Sequence, residues 1–210
     1  MDIKNSVALI TGGGKGIGEA VAKHFVRQGA KVAIVDMVQE DIDRVVAEIK
    51  AMGGEAIGVQ ADVSSEADTA RFIEATVSAF GQLNIAVTCA GIIRDGTMLA
   101  LDKTTGKVSR KMGLDKWKPV IDVDLTGTFL TLRDAAEAMV NGGWQGLLVP
   151  MECFEKRVLT STGDGAAIVP TDHRPDRIEI GLHMDAVNLT VATGFDAEVQ
   201  FHPDLLLELA

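Results

Sequence analysis

Tyrosine is absent from the 210 residues, so no phenolic hydroxyl is available for proton transfer. Cysteine is scarce, with only Cys89 and Cys153. That fits a reducing, cytoplasmic setting better than a disulfide scaffold. Basic residues are in deficit, 20 Lys and Arg against 30 Asp and Glu, for a formal net charge of −10. This balance argues against general nucleic-acid binding, and no basic run with interleaved aromatics argues for it. No apolar run approaches the length of a membrane span, and the opening residues Met1 to Asn5 do not read as a signal peptide. Neither nucleic acid nor membrane is therefore expected as a partner. The length supports one domain with a substantial core.

What the chain does have is glycine in a telling place. The apolar run Val7-Ala8-Leu9-Ile10 meets Thr11-Gly12-Gly13-Gly14-Lys15-Gly16-Ile17-Gly18, and a helical pattern follows at once. A buried strand, a tight turn and a helix N-terminus are implied. Glycine permits positive φ and close approach of a ligand to the backbone, and unpaired N–H groups at a helix start suit a phosphate. The spacing is Gly-x-x-x-Gly-x-Gly; Lys15 is followed by Gly16 rather than Ser or Thr, which excludes a Walker loop.

The pattern then repeats. Residues 17–28 carry apolar positions 17, 20, 21, 25 and 26 at helical spacing, with His24 on the polar face. Residues 31–36 read as a strand ending in Asp36. An acid there, 18 residues after Gly18, accepts ribose hydroxyls in a βαβ nucleotide fold. A helix over 41–52, a strand over 56–63 ending in Asp62-Val63, a helix opened by the Ser65/Asp68 capping pair, and a strand over 83–88 follow. Continuous apolar strands alternating with helices specify a parallel sheet covered on both faces. Residues 92–114 form a long polar loop with a turn or small hairpin at 102–107. A long helix over 115–140, with Pro119 in its first turn and Trp117, Leu125 and Phe129 on a broad apolar surface, leads to a fifth strand over 146–150.

Together, Thr11-Gly12-x-x-x-Gly16-x-Gly18, Asp36, Asp62-Val63, Cys89-Ala90-Gly91 and the helix from Val120 to Phe129 resemble the short-chain dehydrogenase/reductase family over about residues 3–150. The resemblance implies a Rossmann-type, doubly wound α/β fold of about five parallel strands, and a first domain over 1–150. It implies a dinucleotide cofactor. Thr11, Gly12, Gly14, Lys15, Gly16, Ile17 and Gly18 would cradle the pyrophosphate, and Asp36 would take the adenosine ribose. Asp62 and Val63 would hold the adenine, and Ala90 and Gly91 would line the nicotinamide ribose. Asp36 implies NAD. Lys15 pulls toward NADP, since a basic residue there often accompanies it; NAD is the expectation and NADP the alternative. Relatives are commonly dimers or tetramers through the long helix, so a homo-oligomer is open. Two departures lie inside the match. Thr88-Cys89 replaces the usual Asn-Asn, and Asp124 stands where the family carries an Asn that holds a water through a local backbone distortion. Asp124 is thus a catalytic candidate, with Lys156 or a histidine of residues 151–210 as the other available proton donors; Cys89 reads as a small core residue.

The resemblance implies a Ser shortly after strand five, then a Tyr with a Lys four residues on. None of these is present at that spacing after residue 150. Residues 151–210 instead read as a β-rich segment: a hairpin over 157–170, alternating strands over 177–184, 188–191 and 198–201, and Leu205 to Leu207 as a strand or short helix. If it folds, it covers the edge of strand five. His173, His183 and His202 fall there beside Asp172, Asp185 and Asp204, at spacings that fit no metal-ligand pattern, so no metal is expected. Three functions stay open. One is an oxidoreductase acting on a small carbonyl or alcohol. The second is a nucleotide-binding protein without that chemistry, and the third a binding or assembly module with a partner-binding tail.

Overall fold

The structure is a computed structural model that describes residues 3–150, 191–192 and 198–200. Its centre is a sheet in the order β3-β2-β1-β4-β7-β9-β8. The strands are β1 Val7–Thr11, β2 Lys31–Asp36, β3 Ala56–Gln60, β4 Ile85–Thr88 and β7 Gly146–Pro150, with β8 Val191–Ala192 and β9 Glu198–Gln200 at one edge. The first five are mutually parallel. β9 lies parallel beside β7, and β8 is antiparallel to β9. The other residues of the expected β-rich segment, including the 157–170 hairpin, the 177–184 strand, the terminal leucines and the three histidines, lie outside the described residues.

Helices α1 Gly16–Arg27 and α2 Gln39–Ala51 pack on one face. Phe25, Ile42, Val45 and Ile49 meet Ala8, Ile10, Val32 and Ile34 there. Helices α3 Glu66–Phe80 and α5 Thr128–Gly142 cover the other, where Phe72, Leu132 and Met139 meet Leu9, Ala33 and Val35. Consecutive residues of one strand feed opposite cores, which is why each strand is apolar throughout rather than alternating. Because β1 lies between β2 and β4, the chain reverses its direction of travel across the sheet at the β1/β4 boundary. Ligands in open α/β sheets bind beyond the strand ends at such a point.

Several expectations need correction. β3 stops at Gln60, so Asp62 and Val63 lie in the turn after it. Asp62 is held there because its N–H donates to Asp68 Oδ2 at 2.9 Å. The capping pair is real, with Asp68 N–H donating to Ser65 Oγ at 3.3 Å, but the Asp68 carboxylate turns to Asp62 rather than back to Ser65. The long helix is three pieces: α4 Leu114–Val120, a π-helical stretch Ile121–Gly127, then α5. Pro119 sits near the end of α4, not in the first turn. Trp117, Leu125 and Phe129 are half-exposed, as is Leu114 more strongly, so the apolar surface of this helix is only partly core. Ile17 likewise leaves the stripe of α1 and is 64% exposed. The turn or small hairpin expected at 102–107 is present, as a small antiparallel hairpin of β5 Leu99–Leu101 with β6 Val108–Lys111.

Candidate dinucleotide site

The residues singled out from the sequence converge on the carboxyl edge of the parallel sheet. Thr11 ends β1 and is buried. Its Oγ1 accepts the Ala90 N–H at 3.3 Å, which ties the glycine turn to the segment after β4. Gly12 takes φ +65°, and a Cβ on it would lie 2.7 Å from Ala90 N and Cys89 O. Gly18 is more constrained: a Cβ there would lie 2.3 Å from Gly12 O. The turn therefore folds back on the start of α1 at a distance only glycine allows. Gly16 also has positive φ, +59°, but among the described residues nothing lies within 4 Å of where its Cβ would be. Lys15, at the N-cap, supplies no side-chain cap to α1. The first turn of α1 thus presents N–H groups, without a capping side chain, to an open space lined by Gly16 and the exposed Ile17.

Asp36, at the end of β2, has both carboxylate oxygens engaged by backbone. Oδ2 accepts Gly14 N–H at 3.0 Å, and Oδ1 accepts Val38 N–H at 3.2 Å. A fixed negative charge therefore stands beside the glycine turn. Beyond β3, Asp62 Oδ1 accepts both the N–H and the hydroxyl of Ser64, at 2.9 and 2.7 Å. Next to it is an open cleft of ≈ 340 Å³ lined by Met37, Gln60, Ala61, Asp62, Asp68 and Arg71. Arg71 braces it by donating to Gln60 O at 2.9 Å and Asp68 Oδ1 at 2.8 Å, and Gln60 Nε2 donates to Met37 O at 2.9 Å. The Arg71 guanidinium, then the Asp62 N–H, hold the Asp68 carboxyl below the usual carboxylate range. Val63 packs against Gly127, where a Cβ would lie 2.6 Å from Val63 Cγ2. This close approach brings the turn after β3 against the end of the π-helical stretch.

Asp124 lies within that stretch and accepts the Ile92 N–H at 2.9 Å. It thereby anchors the chain leaving Ala90-Gly91. Partial burial pushes its carboxyl up, and the Ile92 N–H offsets this only in part. An acid raised in the folded state is stabilised when protonated and costs stability once pH rises through its folded value. Asp124→Asn should accordingly raise Tm by about 1–3 °C at pH 7. The gain should shrink as pH falls into and below the ordinary carboxylate range, where the folded carboxyl takes up its proton first. A thermal melt series across pH checks this; equal gains throughout the series would contradict it.

Sequence reasoning missed Arg44, whose guanidinium donates to Gly14 O, and Gln60 and Arg71 in the cleft. The Arg44/Glu48 spacing signals a helix-surface ion pair, but nothing in the sequence links Arg44 to the glycine turn. Among the described residues no group of His, Cys, Asp and Glu is placed to hold a metal ion, and no helix is long and apolar enough to cross a membrane.

These features fit a dinucleotide. The glycine cradle leaves room for a pyrophosphate, α1 opens with no side-chain cap, the pinned Asp36 suits vicinal hydroxyls, and the cleft by Asp62 suits a flat base. Comparison with known proteins agrees. A family model described as short chain dehydrogenase matches residues 6–152. A 2,5-dichloro-2,5-cyclohexadiene-1,4-diol dehydrogenase from Sphingobium indicum is 37% identical over 141 residues, 67% of this chain and 52% of that protein. A 3-oxoacyl-(acyl-carrier-protein) reductase from Synechocystis is 39% identical over 136 residues, 64% of this chain and 50% of that protein. A crystal structure of a short-chain type dehydrogenase/reductase from Mycobacterium marinum superposes with a TM-score of 0.59 at 31% identity, covering 70% of this chain and 55% of that one. The chain spans about half the length of the curated relatives it matches.

Proposed function

This chain belongs to the short-chain dehydrogenase/reductase family of oxidoreductases, and from that premise we propose that it binds NAD at the carboxyl edge of its sheet but lacks the family's proton relay. The observation that carries the reading is Asp36, pinned through both oxygens beside a glycine turn that opens α1. A fixed carboxylate accepts the 2′- and 3′-hydroxyls of an adenosine ribose and repels a 2′-phosphate, so NAD is preferred to NADP.

In this reading the turn from Thr11 to Gly18, through Gly12, Gly14, Lys15, Gly16 and Ile17, receives the pyrophosphate. Asp62 offers Oδ2 to the adenine amino group, since Oδ1 is held by Ser64. Val63 lies beside the ring, and Ala90 and Gly91 line the second ribose. Bound nicotinamide supplies hydride transfer to or from a carbonyl or alcohol carbon. The chain's own residues must then move the proton. With no Tyr in the sequence, the phenol that the family uses is missing. Asp124 at the family's Asn position is occupied in anchoring Ile92. Loss of a positioned acid–base group costs about 10²- to 10⁴-fold in rate.

A second reading, an assembly module with a vestigial nucleotide site, is favoured by the exposed Leu114, Trp117, Leu125 and Phe129 on the long helical element. One paired experiment separates the two: NADH binding followed by nucleotide fluorescence, and NADH oxidation with a panel of ketones and aldehydes. The expected outcome is saturable binding with turnover at least about 100-fold below that of an intact relay. Brisk oxidation would refute the impaired relay; absence of both binding and oxidation would favour the assembly module.

A further inference from the structure

We infer that Arg44 is a positioning residue for the dinucleotide: its guanidinium, fixed by Glu19 and Glu48, clamps the Gly14 carbonyl and so holds the glycine turn in the shape that receives the pyrophosphate. The inference rests on the NAD-binding reading.

Both backbone polar groups of Gly14 are taken by side chains from other elements. Its N–H donates to Asp36 Oδ2 at 3.0 Å, at the end of β2. Its carbonyl accepts from Arg44 Nη2 at 2.8 Å, on α2. The same guanidinium reaches Glu19 in the first turn of α1, with Nη2 to Oε2 at 2.8 Å and Nη1 to Oε1 at 3.1 Å, and it reaches Glu48 Oε1 at 3.1 Å. Lys23 bonds both carboxylates and closes a four-charge ring across α1 and α2. The guanidinium makes four such bonds from the two ends of one planar fork, a set that the three donors of an ammonium cannot make. Arg44 therefore joins the turn, the start of α1 and the middle of α2. The start of α1 needs such a tie. No side chain caps it, and its first closing bond, Glu19 N–H to Lys15 O, is long at 3.4 Å. With Gly14 held at both ends, the amides that follow it are set by the clamp rather than left to the open side around Gly16. The Arg44 guanidinium, with Lys23, holds the Glu19 carboxyl at about 2, so the ring stays charged across the physiological range.

The test uses the full chain and three variants. Arg44→Met removes the clamp. Arg44→Lys keeps the charge without the fork. Lys50→Met removes one cation from the exposed side of the same helix. NADH affinity should fall about five- to tenfold in Arg44→Met and at least about threefold in Arg44→Lys, while Lys50→Met stays within about twofold. In the absence of nucleotide, amide exchange at Gly13 and Gly14 should quicken about tenfold in Arg44→Met while Leu9 and Ile10 in β1 are unchanged. Wild-type affinity in Arg44→Met, full rescue by Arg44→Lys, or exchange that rises equally through the sheet would overturn the clamp. Failure of the wild-type chain to bind NADH would refute the NAD reading instead, and the exchange at Gly13 and Gly14 would still decide whether Arg44 holds the turn.

Discussion

Gly18→Ala should abolish detectable NADH binding, a loss of at least about 100-fold, and destabilise the chain by about 3 kcal/mol. The added Cβ would lie 2.3 Å from Gly12 O, 2.8 Å from Gly12 C and 3.1 Å from Gly13 Cα. All three are backbone atoms of the turn itself, so no side chain can swing aside to relieve the contact. Either α1 moves away from the turn or the turn opens. Both displace the N–H groups at the start of α1 from a common focus, and phosphate binding depends on that focus. The turn cannot relax freely in any case. Gly13 N–H bonds Val35 O at 3.2 Å, Gly14 N–H bonds Asp36, and a Cβ on Gly12 would already collide with Ala90. Calorimetric titration with NADH, beside a thermal melt, measures both effects. Wild-type affinity in this variant would mean that the glycine turn is not the pyrophosphate site.

Asp36→Asn should shift the ratio of NADH to NADPH affinity by about 30- to 100-fold toward NADPH, some 2–3 kcal/mol. The carboxylate is held against the glycine turn by Gly14 and Val38 N–H groups, so it cannot rotate away from an incoming 2′-phosphate. Repulsion at about 4 Å is worth several kcal/mol at intermediate dielectric, and partial exposure reduces it. Asn removes the charge and keeps the shape. It offers only one acceptor oxygen for two N–H donors, so affinity for NADH should fall as well, about tenfold. Lys15, exposed one residue beyond Gly14, then favours the phosphate. Parallel titrations of both nucleotides with both proteins check this; an unchanged ratio would detach Asp36 from the ribose.

What the sequence made legible follows from the physics of each element. β1 and β2 were readable because strands buried on both faces are continuous apolar runs, and Val7–Thr11 and Lys31–Asp36 are such runs. The candidate site residues could be picked out because glycines at close backbone approaches and an acid at the end of β2 are local signals. The π-helical stretch Ile121–Gly127 left no mark in the apolar spacing, because one widened turn disturbs it too little; only the family resemblance, through the backbone distortion it implies at Asp124, pointed there. Periodicity also told that residues 115–140 carry an apolar surface, but not what faces it, and Trp117, Leu125 and Phe129 proved half-exposed. Arg44 was invisible for a different reason. Its bonds to Gly14 and Glu19 cross between elements, and such contacts exist only once α1 and α2 are packed. The cleft was half legible: Ser65 and Asp68 announced a helix cap, but that Asp68 would hold Asp62 and Arg71 instead of closing a capping box is a tertiary outcome.

The central claim is that this chain binds NAD through the turn after β1, whatever chemistry follows. A fluorescence titration of the full chain with NADH, repeated with NADPH, tests it most directly. Saturable binding of NADH, at least about tenfold tighter than that of NADPH, is the predicted result. No saturable binding of either nucleotide, or tighter binding of NADPH, would contradict it.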